Sequence, residues 1–226
     1  MNQVSEIFAR RTAADIVFEA MRDDIISLKL LPGTKLSEVE VARRFGVSRQ
    51  PVRDAFARLA NLDLLLIRPQ KATEVRGFSM ERIAHARFVR LSVELEVIRR
   101  ASAVWDAERA GVLAQIMAAQ RIAIESDDAA KFHALDFEFH KKICELGGYP
   151  LAAETIAEAK HKVDRLCVLS LGRKHEIETL WEDHCQLADA LLRRDATEAA
   201  SLTRQHLARL DTTIEDIHQE NAGYFE

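Results

Sequence analysis

The sequence predicts a mainly α chain, with a small helix-turn-helix head followed by an all-helical bundle. Three observations carry this. Two short amphipathic segments joined at a glycine fill residues 31–59. Three of the four prolines, Pro32, Pro51 and Pro69, precede residue 70, and the rest of the chain has helical periodicity without sustained alternation. Charge also divides along the chain. Residues 1–76 hold 13 basic and 10 acidic side chains, a net +3, although all 226 residues sum to −4.

Taken in order, Ser37 and Glu40 have the spacing of a capping box that opens a helix. Val39, Val41, Ala42 and Phe45 supply its apolar side, and Gly46 ends it where a left-handed residue is required. Ser48 is placed to cap the next helix, with Pro51 tolerated in the first turn. Val52, Ala55, Phe56 and Leu59 form that helix's buried face, leaving Arg49, Gln50 and Arg53 outward near its start. Between Arg43 and Lys71 seven basic residues face two acids, Asp54 and Asp63. A basic island on an acidic chain is the footprint of phosphate contact, and helix, glycine turn, helix is a DNA-reading layout.

The run LPGTKLSEVEVARRFGVSRQPVRDAFARL resembles the signature of the GntR family of bacterial transcriptional regulators, over about residues 10–78. The resemblance implies a winged helix-turn-helix. Residues 64–75 would then be two strands around a turn, the wing. It also implies that Arg49 and Arg53 meet phosphate and base edges in the major groove, that Ser48 and Gln50 sit beside them, and that Gln70 and Lys71 reach the minor groove. Leu28, Asp63 and the Gln70-Lys71-Ala72 turn stand where the family has glycine.

Beyond a boundary near Arg76–Ser79, with Ser79 as a cap, six helices are expected at about 80–106, 109–125, 128–146, 150–171, 175–193 and 195–221. Gly111, Asp127-Asp128, Gly147 to Pro150, Gly172 and Asp195 mark the breaks. The expected domains are therefore 1–77 and 78–226. Residues 1–11 lack the apolar run of a signal peptide, and no stretch approaches membrane-spanning length. Cys144, Cys167 and Cys185 are odd in number and lack metal-site spacing, which suits a reducing cytoplasm.

Four polar residues interrupt the bundle's apolar stripes. Phe132, Phe139 and Ile143 mark the buried side of the third bundle helix, and Asp136 and His140 share it. His184 lies among Ile177, Leu180, Trp181, Leu187, Ala188 and Leu191. His206 lies with Leu202, Leu210 and Ile217. Unpaired, such groups would cost on the order of several kcal/mol to bury. One carboxylate and three imidazoles suit a divalent transition ion, zinc first, with nickel, iron or manganese also compatible. His133 is an alternative ligand seven residues before His140; His161, His175 and His218 fall off the stripes, and His85 is ambiguous.

Residues 79–221, with DFEFHKKI and the later His184 and His206, resemble the FCD domain of the FadR subfamily, in its metal-binding branch. This implies Asp136, His140, His184 and His206 as the metal ligands. The family's RxxxE pattern falls on Arg90 and Glu94, which implies that Arg90 meets a ligand carboxylate; Arg165 is a second candidate. The alternative for Arg90 is a surface ion pair with Glu94. Together these imply a homodimer on double-stranded operator DNA, controlled by a small organic acid. The rivals are a sensor of the metal alone and a helical-bundle metalloenzyme. A di-iron centre would have to use Glu158-His161 and Glu215-His218, both off the stripes.

Overall fold

The computed structural model describes residues 11–161, 163, 165, 166 and 174–226. Asp164, Cys167, Gly172 and the side chains of His161 and His175 lie outside the described residues, as does the far end of the helix expected to reach 171.

The first compact unit comprises residues up to Phe78 together with Gly223–Glu226. It holds α1 (Ala13–Ile26), α2 (Glu38–Phe45) and α3 (Arg49–Asn61), with β1 (Lys35–Leu36), β2 (Leu65–Leu66) and β3 (Thr73–Val75). The strands form an antiparallel sheet in the order β1-β3-β2, with Leu36 opposite Thr73 and Leu65 opposite Val75. β2 and β3 are the expected wing. β1 is a third strand that the sequence did not announce, because two residues carry no alternation. The core joins Val17, Met21 and Ile25 of α1 to Val52, Ala55, Phe56 and Leu59 of α3.

Several local expectations need correction. Ser37 does cap α2, accepting from the Glu40 amide at 3.5 Å, but the reciprocal box forms between Thr12 and Asp15, across the first turn of α1. Val39 is 47% exposed, because it stands about 200° around the helix from Val41. Gly46 adopts φ 64°, as expected of a left-handed cap. Leu28, Asp63 and Gln70, which replace the resembled family's glycines, keep the left-handed backbone at φ 57°, 58° and 59°.

The second unit, Ser79–Ala222, comprises α4 (Met80–Val104), α5 (Ala107–Glu125), α6 (Ala129–Leu146), α7 (Pro150–His161), α8 (Lys174–Leu192) and α9 (Ala196–Glu220). Ser79, Asp106, Asp128 and Asp195 cap α4, α5, α6 and α9 through their side chains. Gly111 lies inside α5 and does not break it; the interruption comes at Trp105, ahead of the Asp106 cap. Trp105, Leu113, Phe139, Ile143, Ile156, Leu187 and Leu191 form the main core.

Residues 223–226 were expected to belong with the bundle, yet they pack in the first unit. Phe78 pairs with Phe225 in a parallel bridge, donating its amide to the Tyr224 carbonyl at 2.8 Å and accepting from the Glu226 amide at 2.8 Å. The two rings lie 5.2 Å apart. A Cβ on Gly77 would approach the Tyr224 oxygen to 2.9 Å, so glycine is required there.

Candidate functional site

In the first unit, burial of the apolar face of α3 turns Arg49, Gln50 and Arg53 outward, and all three are exposed. Arg49 donates from Nε and Nη2 to Glu38 Oε2, at 3.2 and 2.7 Å. Arg53 Nε donates to the same oxygen at 3.0 Å. The two guanidinium groups, Arg49 foremost, hold the Glu38 carboxyl below its ordinary range. Gln50 Nε2 donates to Asp54 Oδ1 at 2.9 Å. Ser48 occupies the N-cap position, but its hydroxyl makes no capping bond, a correction to the role expected of it. Gln70 and Lys71 are exposed in the turn between β2 and β3.

In the second unit the four stripe-breaking residues converge. Asp136 and His140 come from α6, His184 from α8 and His206 from α9, and one donor atom of each lies within 4.8 Å of the others. His140, His184 and His206 are 3%, 0% and 5% exposed. Asp136 Oδ1 stands 4.0, 3.4 and 3.6 Å from their Nε2 atoms in turn. His140 Nε2 and His206 Nε2 are 3.0 Å apart. His133 is only partly buried and outside this group, and His85 and His218 are exposed.

The other nitrogen of each imidazole faces a polar group. His140 Nδ1 lies 2.7 Å from Glu94 Oε2, and His184 Nδ1 lies 3.1 Å from Gln120 Oε1. Gln120 Nε2 donates to the Leu135 carbonyl at 3.2 Å, so its amide oxygen is the end turned to His184. His206 Nδ1 faces Asp183 Oδ2 at 3.4 Å, longer than a good hydrogen bond. Such acceptors favour a proton on each Nδ1 and a lone pair on each Nε2. The supports are braced in turn. Arg90 Nε donates to Glu94 Oε1 at 2.6 Å, and Arg209 grips both oxygens of Asp183 at 2.5 and 2.8 Å.

This arrangement fits a metal ion. Lone pairs and a carboxylate oxygen crowded together at a buried site repel one another unless a cation lies among them, and buried His184 Nε2 has no hydrogen-bond partner. A tetrahedral ion with bonds of roughly 2.0–2.2 Å spaces its donors by roughly 3.3–3.6 Å; the donors here lie from 3.0 Å to at most 4.8 Å apart, so a small inward movement would close them on an ion. Burial pushes His184 down to about 3, which keeps it in the neutral form that ligates. Burial pushes Glu94 up, but His140 and Arg90 outweigh it and hold the carboxyl at about 2.

Arg90 therefore makes the ion pair with Glu94 that was the alternative to a ligand contact, but away from the surface, with Glu94 buried and Arg90 part-buried. Arg165 is also buried, and desolvation lowers it to about 10. Glu158 and Glu215 are exposed, so the glutamates of the di-iron motifs do not face inward. Sequence reasoning missed Gln120, Asp183 and Arg209. Gln120 was findable, since it lies on the Leu113–Met117–Ile124 stripe of α5, whereas Asp183 is hidden by its charged neighbours.

Two family models match the chain: bacterial regulatory proteins of the gntR family over residues 13–75, and the FCD domain over residues 86–209. The chain is 36% identical over 209 residues to the HTH-type transcriptional repressor RspR of Escherichia coli K12, covering 92% of each. It is 26% identical to the gluconate operon transcriptional repressor of Bacillus subtilis, covering 91% of this chain and 86% of that one. A putative GntR regulator from Rhodococcus sp. RHA1 superposes with a TM-score of 0.71 at 21% identity, covering 89% of this chain and 96% of that one, which shows the shared fold. With a helix-turn-helix head, an FCD domain and relatives that regulate transcription, the chain belongs to the GntR family and is a DNA-binding transcriptional regulator, not an enzyme.

Proposed function

We propose that the operator affinity of this regulator is set by a small organic acid bound beside a divalent metal ion in the FCD domain. The observation that carries the proposal is the convergence of three imidazole Nε2 atoms and Asp136 Oδ1 within 4.8 Å. Asp136, His140, His184 and His206 would hold the ion, with zinc the first choice for this donor set and nickel, iron or manganese compatible. When bound, such an ion supplies a Lewis-acid anchor for an anionic oxygen.

Charge supports an acid as the effector. With the imidazoles acting as neutral ligands to an ion, Asp136, Glu94 and Asp183 bring three negative charges, two of them braced by Arg90 and Arg209. A divalent ion together with these arginines and buried Arg165 would leave the site net positive, which favours an anionic ligand. Arg90 is the residue proposed to meet the carboxylate, with Arg165 a further candidate. The name of the gluconate operon repressor, a relative, is in keeping with control by organic acids.

At the other end, Arg49 and Arg53 would engage the major groove, flanked by Ser48 and Gln50, with Gln70 and Lys71 at the minor groove. A cytoplasmic homodimer would place two such heads on a pseudo-palindromic operator. The effector acts by binding DNA-competent and incompetent arrangements unequally.

A thermal-shift screen of organic acids on zinc-loaded and chelated protein tests this reading. Stabilisation by an acid only in the presence of zinc is expected. Equal stabilisation of the chelated protein would remove the metal from effector binding. A second reading, a sensor of the metal alone, is favoured by the 2.6 Å bond that already engages Arg90 with Glu94. Stabilisation by zinc with no response to any acid would select it.

A further inference from the structure

One carboxylate oxygen of the first reading helix receives both arginines of the second. Glu38 opens α2, and its Oε2 accepts from Arg49 Nε and Nη2 and from Arg53 Nε. Arg49 and Arg53 are four residues apart and so share one face of α3. Glu38 keeps 29% side-chain exposure, against 56% and 53% for the arginines. The carboxylate therefore sits behind two cations that point toward solvent.

A guanidinium has two donor edges that can form a fork, a side edge at Nε and an end edge made by the two terminal nitrogens. Glu38 occupies the side edge of Arg49 and the Nε of Arg53. The end edges remain for a partner, and an end-on fork matches the O6 and N7 acceptors of guanine. Its negative charge also offsets part of the attraction that either arginine would exert on phosphates of any sequence.

We infer that Glu38 is a specificity-determining positioning residue, which aims Arg49 and Arg53 end-on at guanine edges and restrains them from indiscriminate phosphate contact. The inference rests on the reading that these arginines meet the DNA. It gives the acid at the start of α2 a task beyond favouring the helix dipole. It also distinguishes two effects of removing the charge: sequence-independent affinity rises while operator affinity falls.

The test uses the full chain and random-sequence duplexes, from which the wild type selects its own operator. That operator and a scrambled duplex of equal length are then titrated with Glu38→Gln, with Arg53→Lys and with the double variant Arg49→Ala/Arg53→Ala. Glu38→Gln is expected to bind the scrambled duplex more tightly and to lower the operator-to-scrambled affinity ratio by at least about tenfold, the value of one good base fork. Arg53→Lys, which keeps the charge but loses the fork, should lower the same ratio.

If Glu38→Gln raises both affinities equally, or lowers both equally with loss of helical signal, Glu38 is a charge brake or a structural residue and the inference is overturned. Arg53→Lys then decides independently of any folding defect at Glu38: an unchanged ratio also overturns it. Specific binding retained by the double alanine variant would instead remove the DNA-contact reading, and this inference with it.

Discussion

Single side chains at the Asp136–histidine cluster are held by partners whose loss should be measurable apart from folding. Glu94 and Gln120 touch the Nδ1 atoms of His140 and His184. Replacing Gln120 by Ala should weaken zinc binding by roughly 10–100-fold, the usual effect of deleting such a support, with helical content unchanged. Competitive titration with a chelating dye reads this, and unaltered affinity would show that the His184 ring is oriented by its stacking on Phe139, 4.0 Å away, alone. Asp15 offers a separate, pH-based test. Its pKa falls from 3.8 to about 2 through bonds from Thr12 and an ion pair with Arg58. A depressed carboxyl stabilises the folded state above about pH 4 and loses that contribution as pH falls toward 2. The head of Asp15→Asn should therefore show a shallower decline in helical signal across that interval than the wild type. Coincident acid titrations would refute the linkage.

At the level of elements, caps and turns decide where the helices end. Thr12→Ala removes the side chain that opens α1, whose apolar face fills the head core. It should cost about 1 kcal/mol, visible as a lower denaturation midpoint of the head. Gly46→Ala meets no neighbouring atom but must hold φ 64°. It should destabilise the head by about 1 kcal/mol from backbone alone, and an unchanged midpoint would mean that the turn relaxes. Most helices were legible because their signals are redundant: apolar periodicity, a Ser or Asp cap and a break coincide at α4, α6 and α9. The α5 boundary was misplaced because Gly111 is a breaker by propensity while Asp106 caps by geometry. The cluster was legible for a related reason, since a polar residue on an apolar stripe contradicts the periodicity around it. Asp183 lacks that contrast: it follows Glu182 and reads as surface, and only the fold brings it to Arg209.

For the whole molecule, the proposed metal site and the DNA-reading head lie in different compact units, so the effects of zinc and of DNA on stability should separate. Zinc at 100 times its dissociation constant should stabilise the helical bundle by about 2.7 kcal/mol. Chelation should reverse this while leaving the transition of the first unit in place. Calorimetry with and without chelator checks it, and a uniform shift of a single transition would indicate one cooperative body. The pairing of Phe78 with Phe225 bears on how this regulator can be dissected. The reading head is encoded in two pieces separated by the entire helical bundle, so a fragment stopped at residue 78 is missing an edge partner, an aromatic neighbour and the Arg76–Glu226 contact. Such a fragment should melt below the head of the intact chain, and a nonsense change late in the gene would damage the part that reads DNA although it falls after the last helix of the bundle.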